Sequence, residues 1–210
     1  MRQAQMKIIK PKLPLDFQAL QKDDLEDGEI YQVAFSEAQF ETQKSTLFNG
    51  CTFTKVEFFQ ENGKITEFSD CIFDKCDFSN MDFTHCGFYR CQFNSCKLIG
   101  TDFTNAFFQD LLFQENLMNY VNFSSSTLKS VGFNHNIIEE SNWISCLFKQ
   151  VQFEDNELNQ ANFWETNLKG IDFSSNHFET LEVTPDLCRG IKISLAQAPF
   201  FTQLHDINIV

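Results

Sequence analysis

The sequence predicts an all-β solenoid whose coils have four sides of five residues each. Three observations carry that prediction. The first is a period of five. Stepping by five from 48 to 183 gives 28 positions, of which 19 are Phe and four are Leu. Met118, Ile138, Trp143 and Val183 supply four more, and only Gly63 is not apolar. A helix repeats every 3.6 residues and a flat strand every 2, so neither sustains this pattern. A fixed period held so long marks a quasi-one-dimensional repeat protein. The second observation lies two residues before each of these lattice positions (i). At i−2, Asn116, Asn136, Asn156 and Asn176 recur every 20 residues, as do Cys51, Cys71 and Cys91. The third is a column at i made wholly of Phe: 53, 73, 93, 113, 133, 153 and 173. A coil of 20 residues stacks each set on itself, whereas 15 or 25 would scatter them.

Within a side, extended backbone turns i−2 and i to the same face, so both point inward. The mostly polar residues at i−1, i+1 and i+2 face water and turn the corner. Coils one strand spacing apart, about 4.8 Å, make seven coils a rod of about 34 Å. The Phe column should stack with offset rings. The Asn column is buried and polar, so its amides must bond one another or the backbone. Seven of the eight cysteines (51, 71, 76, 86, 91, 96 and 146) sit at i−2. They read as packed, reduced thiols. A zinc site from Cys86, His85 and a neighbouring Cys is the alternative, but the spacing matches no C-x-x-C knuckle.

The lattice extends back through Leu25, Ile30, Phe35 and Phe40. The eight residues from Phe40 to Phe48 suggest about three extra residues bulging near Gln43, Lys44 and Ser45. Residues 60–64 break the apolar rule and read as a small loop that keeps phase. A solenoid must cap its ends. Residues 13–22 are expected to form an N-terminal cap. Ser194 and Gln197 fit a capping box that opens a short helix. Pro199 conflicts with that register, so the helix could instead begin nearer Pro199. The tail 206–210 reads as a strand. The resulting organisation is a tail and cap over 1–22, a β-helix over 23–193, and a C-terminal cap over 194–210. Phe200, Phe201, Leu204, Ile207, Ile209 and Val210 offer more apolar surface than one cap needs, so this segment is also expected to form a homodimer contact.

The formal charge is −13. Such a chain should repel nucleic acid and anionic membranes and suit a cationic protein surface. No stretch of 18 apolar residues is present and no secretory signal is read at the start, so a cytoplasmic location is expected. There is no Gly-rich phosphate loop, HExxH or GxSxG, and the four His fall in no recognisable catalytic arrangement. Neither an enzyme nor a cofactor is expected.

The triplets CDF, MDF, CQF, TDF, VNF, VQF, ANF and IDF resemble the pentapeptide repeat family, over about residues 23–193. That resemblance implies a right-handed quadrilateral β-helix. Within the family the chain resembles the quinolone-resistance (Qnr-type) proteins. The likeness lies in the segment Cys96 to Phe123, in Asn142-Trp143, and in the ending Gly190-Ile-Lys-Ile, short helix, Ile-Asn-Ile-Val. The resemblance implies binding to a type II topoisomerase, DNA gyrase or topoisomerase IV, and its protection from quinolones. The long loop common in that group is reduced here to short candidates at 42–46 and 60–65.

The 20-residue coil assigns each outward residue to a side. The side of Phe58, Phe78 and Ile138 carries Glu57, Asp77, Glu139, Glu140, Glu157 and Glu179 against Lys97. The next side, of Phe83 and Trp143, carries Asp82, Asp102 and Glu165, with Glu61 and Glu182, against Lys64. The side of Phe48 and Phe88 is near neutral, with Arg90, Lys129, Lys149 and Lys169 against Glu67, Asp70 and Asp110. Residues 48–183 hold 19 acids and eight bases. A B-DNA segment of similar length carries roughly 20 phosphates. The two acidic sides are therefore candidates for a DNA-mimicking contact. The alternatives are a scaffolding solenoid with another partner, or an immunity protein against a topoisomerase-poisoning toxin.

Overall fold

The computed structural model describes residues 6–19, 28–42, 45–60 and 64–204. The chain winds as a right-handed, four-sided β-solenoid of about seven turns with a short C-terminal helix. Parallel pairing at a 20-residue offset fixes the coil: Phe73 pairs with Phe93, Phe93 with Phe113, and Phe113 with Phe133. Two adjacent sides form one continuous parallel sheet. In the later coils three eight-residue strands, Phe107–Gln114, Thr127–Asn134 and Leu147–Glu154, run through the corner between those sides. Most of the other two sides is joined by single parallel bridges, such as Asp77 to Lys97 and Asp102 to Asn122.

The core is a set of ring stacks. Along the Phe column, centroids lie 5.0 Å apart from Phe53 to Phe73, 4.5 Å from Phe73 to Phe93, 4.8 Å from Phe93 to Phe113 and 4.9 Å from Phe113 to Phe133. Across corners the rings meet edge to face, as Phe48 and Phe53 do at 5.2 Å and 82°. Both geometries suit the aromatic quadrupole, and each adds about 0.5–1.5 kcal/mol to area burial. Trp143 takes a Phe position between Phe123 and Phe163, and its Nε1 donates to Ser141 Oγ at 2.8 Å.

Many of the small polar residues at i−2 share one chemical job. Their side chains donate to the carbonyl of the lattice residue 23 positions earlier. Asn116 donates to Phe93 O, Asn136 to Phe113 O, Asn156 to Phe133 O, Thr101 to Phe78 O and Ser126 to Phe103 O. Cys91 does the same, more weakly, toward Phe68 O at 3.4 Å. The asparagines also form the expected ladder. Asn136 Oδ1 accepts from both the Asn116 backbone N–H and its side-chain Nδ2, each at 2.9 Å. All eight cysteines are free and buried. Burial pushes the Cys71 and Cys86 thiols well up and Cys146 up to about 12.

The corners are left-handed. Among the described residues, twenty-two that are not glycine have φ between 49° and 62°, and every one is at i+2. That conformation costs roughly 1–2 kcal/mol for an L residue. It is offset because it aims the corner N–H at the next coil: Lys55 donates to Asp74 O at 2.8 Å, and Asn105 to Ser124 O at 3.0 Å.

Two features of the N-terminal part differ from expectation. Ile30 pairs with Phe48, Phe35 with Phe53 and Phe40 with Phe58. The first coil is therefore 18 residues long. The eight residues from Phe40 to Phe48 are two short of two full sides, rather than one side with three extra residues. Gln43 and Lys44 lie outside the described residues. The break at 60–64 does keep phase, since Phe53 pairs with Phe73 across it. The second difference concerns the expected cap at 13–22. Gln18 pairs with Val33 on the first coil, as a cap would. Residues 6–14, however, run lengthwise along the rod. The Lys12 N–H donates to Asp70 at 2.9 Å and the Ile9 N–H to Asp110 at 3.4 Å.

At the other end a 3₁₀ turn, Leu195–Gln197, leads into helix α1, Ala198–Leu204. Gln197 Oε1 accepts the Ser194 N–H at 2.8 Å, the reach-back half of the expected capping box. Pro199 falls at the second residue of α1, where its missing N–H is harmless. Gln197 also plugs the rod: its buried Nε2 donates to Phe173 O, taking the rung that a further Asn would fill.

Candidate partner-binding faces

The acids of the two predicted sides fall into two groups with different chemistry. The first lies on the early coils: Glu57, Asp77, Asp82 and Asp102. Three of its carboxylates are committed to the turns. Asp77 Oδ1 accepts the Ser79 N–H and hydroxyl, Asp82 the Thr84 N–H, and Asp102 the Thr104 N–H and hydroxyl. The same D-F-[ST] arrangement recurs at Asp172 and Ser174. It is an Asx turn, in which a carboxylate at i−1 holds the N–H at i+1. Burial raises the Asp77 and Asp82 carboxyls, but the Ser79 and Thr84 donors with Lys97 and Lys64 outweigh it and hold both below the ordinary range. Lys97 stands 3.6 Å from Asp77 and Lys64 3.9 Å from Asp82. Part of the predicted acidic surface is thus turn chemistry. The D-F-[ST] triplets were a signal for it.

The second group lies on the later coils: Glu139, Glu140, Glu157, Glu165 and Glu179. Three of their carboxylates are met by amide or hydroxyl donors. Asn119 donates to Glu139, Tyr120 to Glu140 and Ser145 to Glu165. Glu157 has His177 Nδ1 at 3.5 Å. Among the described residues no Lys or Arg pairs with any of the five. The column that links the two groups is not acidic. Pairing runs Glu57, Asp77, Lys97, Leu117, Ile137, Glu157, His177. Leu117 and Ile137 are more than a third exposed, as is Ile99 beside them. The composition of this side concealed that apolar centre, which pairing by coil reveals.

The near-neutral side is also reorganised. Lys129 pairs directly with Lys149, a like-charge contact on the outer surface. Asp70 is clamped by Arg90 through two bonds of 2.7 Å. Asp70 and Asp110 are both buried, although corner residues such as Lys75 and His85 are exposed.

Of the expected dimer contact, Phe200, Phe201 and Leu204 are described. Phe200 and Phe201 pack edge to face on Phe178 of the last coil, at 6.3 and 6.4 Å. They cover the rod end. Ile207, Ile209 and Val210 lie outside the described residues. Among the described residues no helix is long and apolar enough to cross a membrane, and no group of three or more His, Cys, Asp or Glu is placed to hold a metal.

The family model of the pentapeptide repeat region matches residues 66–143. That stretch lies within the unbroken lattice, and over it the chain is similar to the pentapeptide repeat family. No curated protein matches the chain. Among solved structures, the chain is similar to full-length QnrB1, a plasmid-mediated fluoroquinolone resistance protein. Identity is 15%, over 86% of this chain and 100% of that one, with a TM-score of 0.35. It is also similar to HetL, a pentapeptide repeat protein involved in heterocyst differentiation regulation from the cyanobacterium Nostoc. There identity is 12%, over 79% of this chain and 85% of that one, with a TM-score of 0.39. The five-residue lattice and 20-residue register, not these likenesses, define the fold here.

Proposed function

We propose that the chain is a binding protein that presents its later-coil carboxylates to a basic surface of a type II topoisomerase, gyrase or topoisomerase IV. It would do so in competition with DNA and protect the enzyme from quinolones. One observation carries the reading. Glu139, Glu140, Glu157 and Glu179 occupy three successive coils of one rigid side, and none is neutralised by Lys or Arg among the described residues. Coils about 4.8 Å apart space these charges on the scale of a phosphate backbone. Leu117 and Ile137 beside them give a protein partner an apolar centre, which favours a protein surface over a purely ionic contact. The sequence likeness of Cys96 to Phe123 and of the C-terminal ending to Qnr-type proteins supports the choice of enzyme. The same ending supports a homodimer through Phe200, Phe201 and Leu204, with Ile207, Ile209 and Val210. Sedimentation of the full chain as a monomer would remove the dimer.

The test is a supercoiling assay with purified gyrase and topoisomerase IV. The chain should restore activity in the presence of a quinolone and inhibit at higher concentration. Reversing Glu139, Glu140 and Glu157 to Lys should weaken binding and slow association, most at low salt. Reversing Asp74, Glu115 and Glu154 on the neighbouring side should do less. Equal losses in the two triple variants would refute a face-specific contact. If the wild-type chain affected neither enzyme, a scaffolding role would be the better reading.

A further inference from the structure

Residues 6–14 follow the rod lengthwise with a regular register. Met6 and Lys7 line a surface cavity together with Gln150 and Gln152. Ile8 reaches Gly132, where an added Cβ would stand 3.2 Å from its Cδ1. The Ile9 N–H donates to Asp110, the Lys12 N–H donates to Asp70, and Pro14 lies over Gly50. Three residues of strap thus span two coils, from Asp110 to Asp70. A polyproline II segment rises about 3.1 Å per residue, so three residues cover about 9.3 Å. Two coils cover about 9.6 Å. The two periods are commensurate. The burial pattern agrees: Ile8, Pro11 and Pro14 are half-buried, while Ile9, Lys10, Lys12 and Leu13 are exposed. A spacing of three is the period of a polyproline II helix and of no other regular extended form.

The corner beneath is built to receive it. Asp70, Asp110 and Ser130 of this corner are buried on the outside of the rod, whereas Lys75 and His85 on other corners are exposed. Arg90 stands between them and orients Asp70 through both oxygens. Gly132 has no positive φ and lies within a strand, where glycine is unfavourable. Its missing side chain makes the recess for Ile8. The strap is held through main-chain N–H groups and one recess, while Leu15 is fully exposed and Ile9 nearly half so. Recognition that reads backbone period and positive charge is not confined to one sequence.

We propose that this corner is a recognition track for a polyproline II peptide rich in Lys and Pro, and that residues 6–14 are its resident occupant. A basic extended segment of a partner protein would take the track by displacing the strap. The track lies on the corner diagonally opposite Glu140, so this inference is independent of the topoisomerase reading.

The test uses the full chain with its strap released by Ile9→Pro and Lys12→Pro, which remove the two donating N–H groups. The probe is a fluorescent peptide of residues 6–15, read by anisotropy. The tethered strap competes at an effective concentration in the millimolar range. The released protein should therefore bind the peptide at least about tenfold more tightly than the intact one. A peptide with Pro at 9 and 12 should not bind, and adding Asp70→Asn with Asp110→Asn should weaken binding about tenfold. Absence of binding to a released, folded protein overturns the proposal, as does binding indifferent to the two N–H groups. If the released variant does not fold, amide exchange on the wild-type chain decides. Excess peptide should speed exchange at Ile9 and Lys12, and the Pro-substituted peptide should not. No acceleration would leave the strap a fixed staple.

Discussion

Asp110 and Glu140 occupy equivalent places on diagonally opposite corners of the rod. Both are at i+2, both are left-handed, with φ of 60° and 51°, and both carry a carboxylate. Asp110 is buried because a strap lies on it and donates an N–H to it. Glu140 is exposed, and its carboxylate accepts from the hydroxyl of Tyr120. The place in the five-residue unit sets the backbone and the direction of the side chain. Whether that side chain serves stability or recognition depends on what else the chain lays over it.

The largest expected effect sets the scale for both corners. Phe113 lies wholly buried in the ring stack, so Phe113→Ala should cost about 3–5 kcal/mol in urea unfolding. Neighbouring coils should weaken with it, because repeats couple to their neighbours. A loss below about 1 kcal/mol would mean that the stack is not the main support.

Next comes the contrast itself. Asp70→Ala strips the partner from Arg90 and from the Lys12 N–H, and should cost about 1–3 kcal/mol. Glu140→Ala removes an exposed group and should stay within about 0.5 kcal/mol. Thermal melts that gave equal losses would erase the difference between the corners.

A smaller effect should appear with pH. Burial raises the Asp70 carboxyl, but the Arg90 guanidinium and the Lys12 N–H outweigh it, leaving a lowered value. A carboxyl depressed in the folded state stabilises fully above its unfolded pKa of about 3.9, and that contribution is lost as pH falls through the lower folded value. Amide exchange corrected for intrinsic rates should therefore show Lys12 losing protection below about pH 4. Protection at Lys12 that held through the acid range would argue against Asp70 as its anchor.

The smallest expected effect is on the thiols. Burial places Cys146 up at about 12 and Cys71 well above the ordinary value. Native labelling near pH 8 should leave both nearly unreacted, whether the strap is in place or released. Fast labelling after release alone would show that the strap holds the coils closed.

Much of the fold was legible because two of its periods are written in residue type. Phe at i and Asn or Cys at i−2 give the side length and the coil length, since only apolar or small donor residues satisfy those interior places. Ser194 and Gln197 announced the turn before the last helix. The corners were not legible. Lys, Asp, Asn, His, Arg, Ser, Tyr and Glu all occupy i+2, because the next coil's carbonyl selects the conformation rather than the side chain. The short first coil was misread because eight residues fit two arithmetic descriptions, and only the pairing of Ile30 with Phe48 chooses between them. On the candidate faces, counting acids per side missed that Asp77, Asp82 and Asp102 hold turns and that Leu117 and Ile137 interrupt the charge. The strap left three marks in the sequence: the spacing of Ile8, Pro11 and Pro14, a glycine inside a strand at 132, and acids 40 residues apart on one corner.

The match between strap and coils has a consequence for length. A rod of stacked, identical-period coils can in principle gain or lose whole coils between Asp70 and Asp110 without disturbing its pairing, in steps of about 4.8 Å. The strap forbids half of those steps. It advances three residues for every two coils, like the sliding scale of a vernier against its fixed scale. One added coil between Asp70 and Asp110 would set their carboxylates half a turn out of phase with the Lys12 and Ile9 amides. Two added coils would restore the phase, provided that the strap grew by three residues. Lengthening there is thus quantised in pairs of coils, and the strap must change together with the coils it spans.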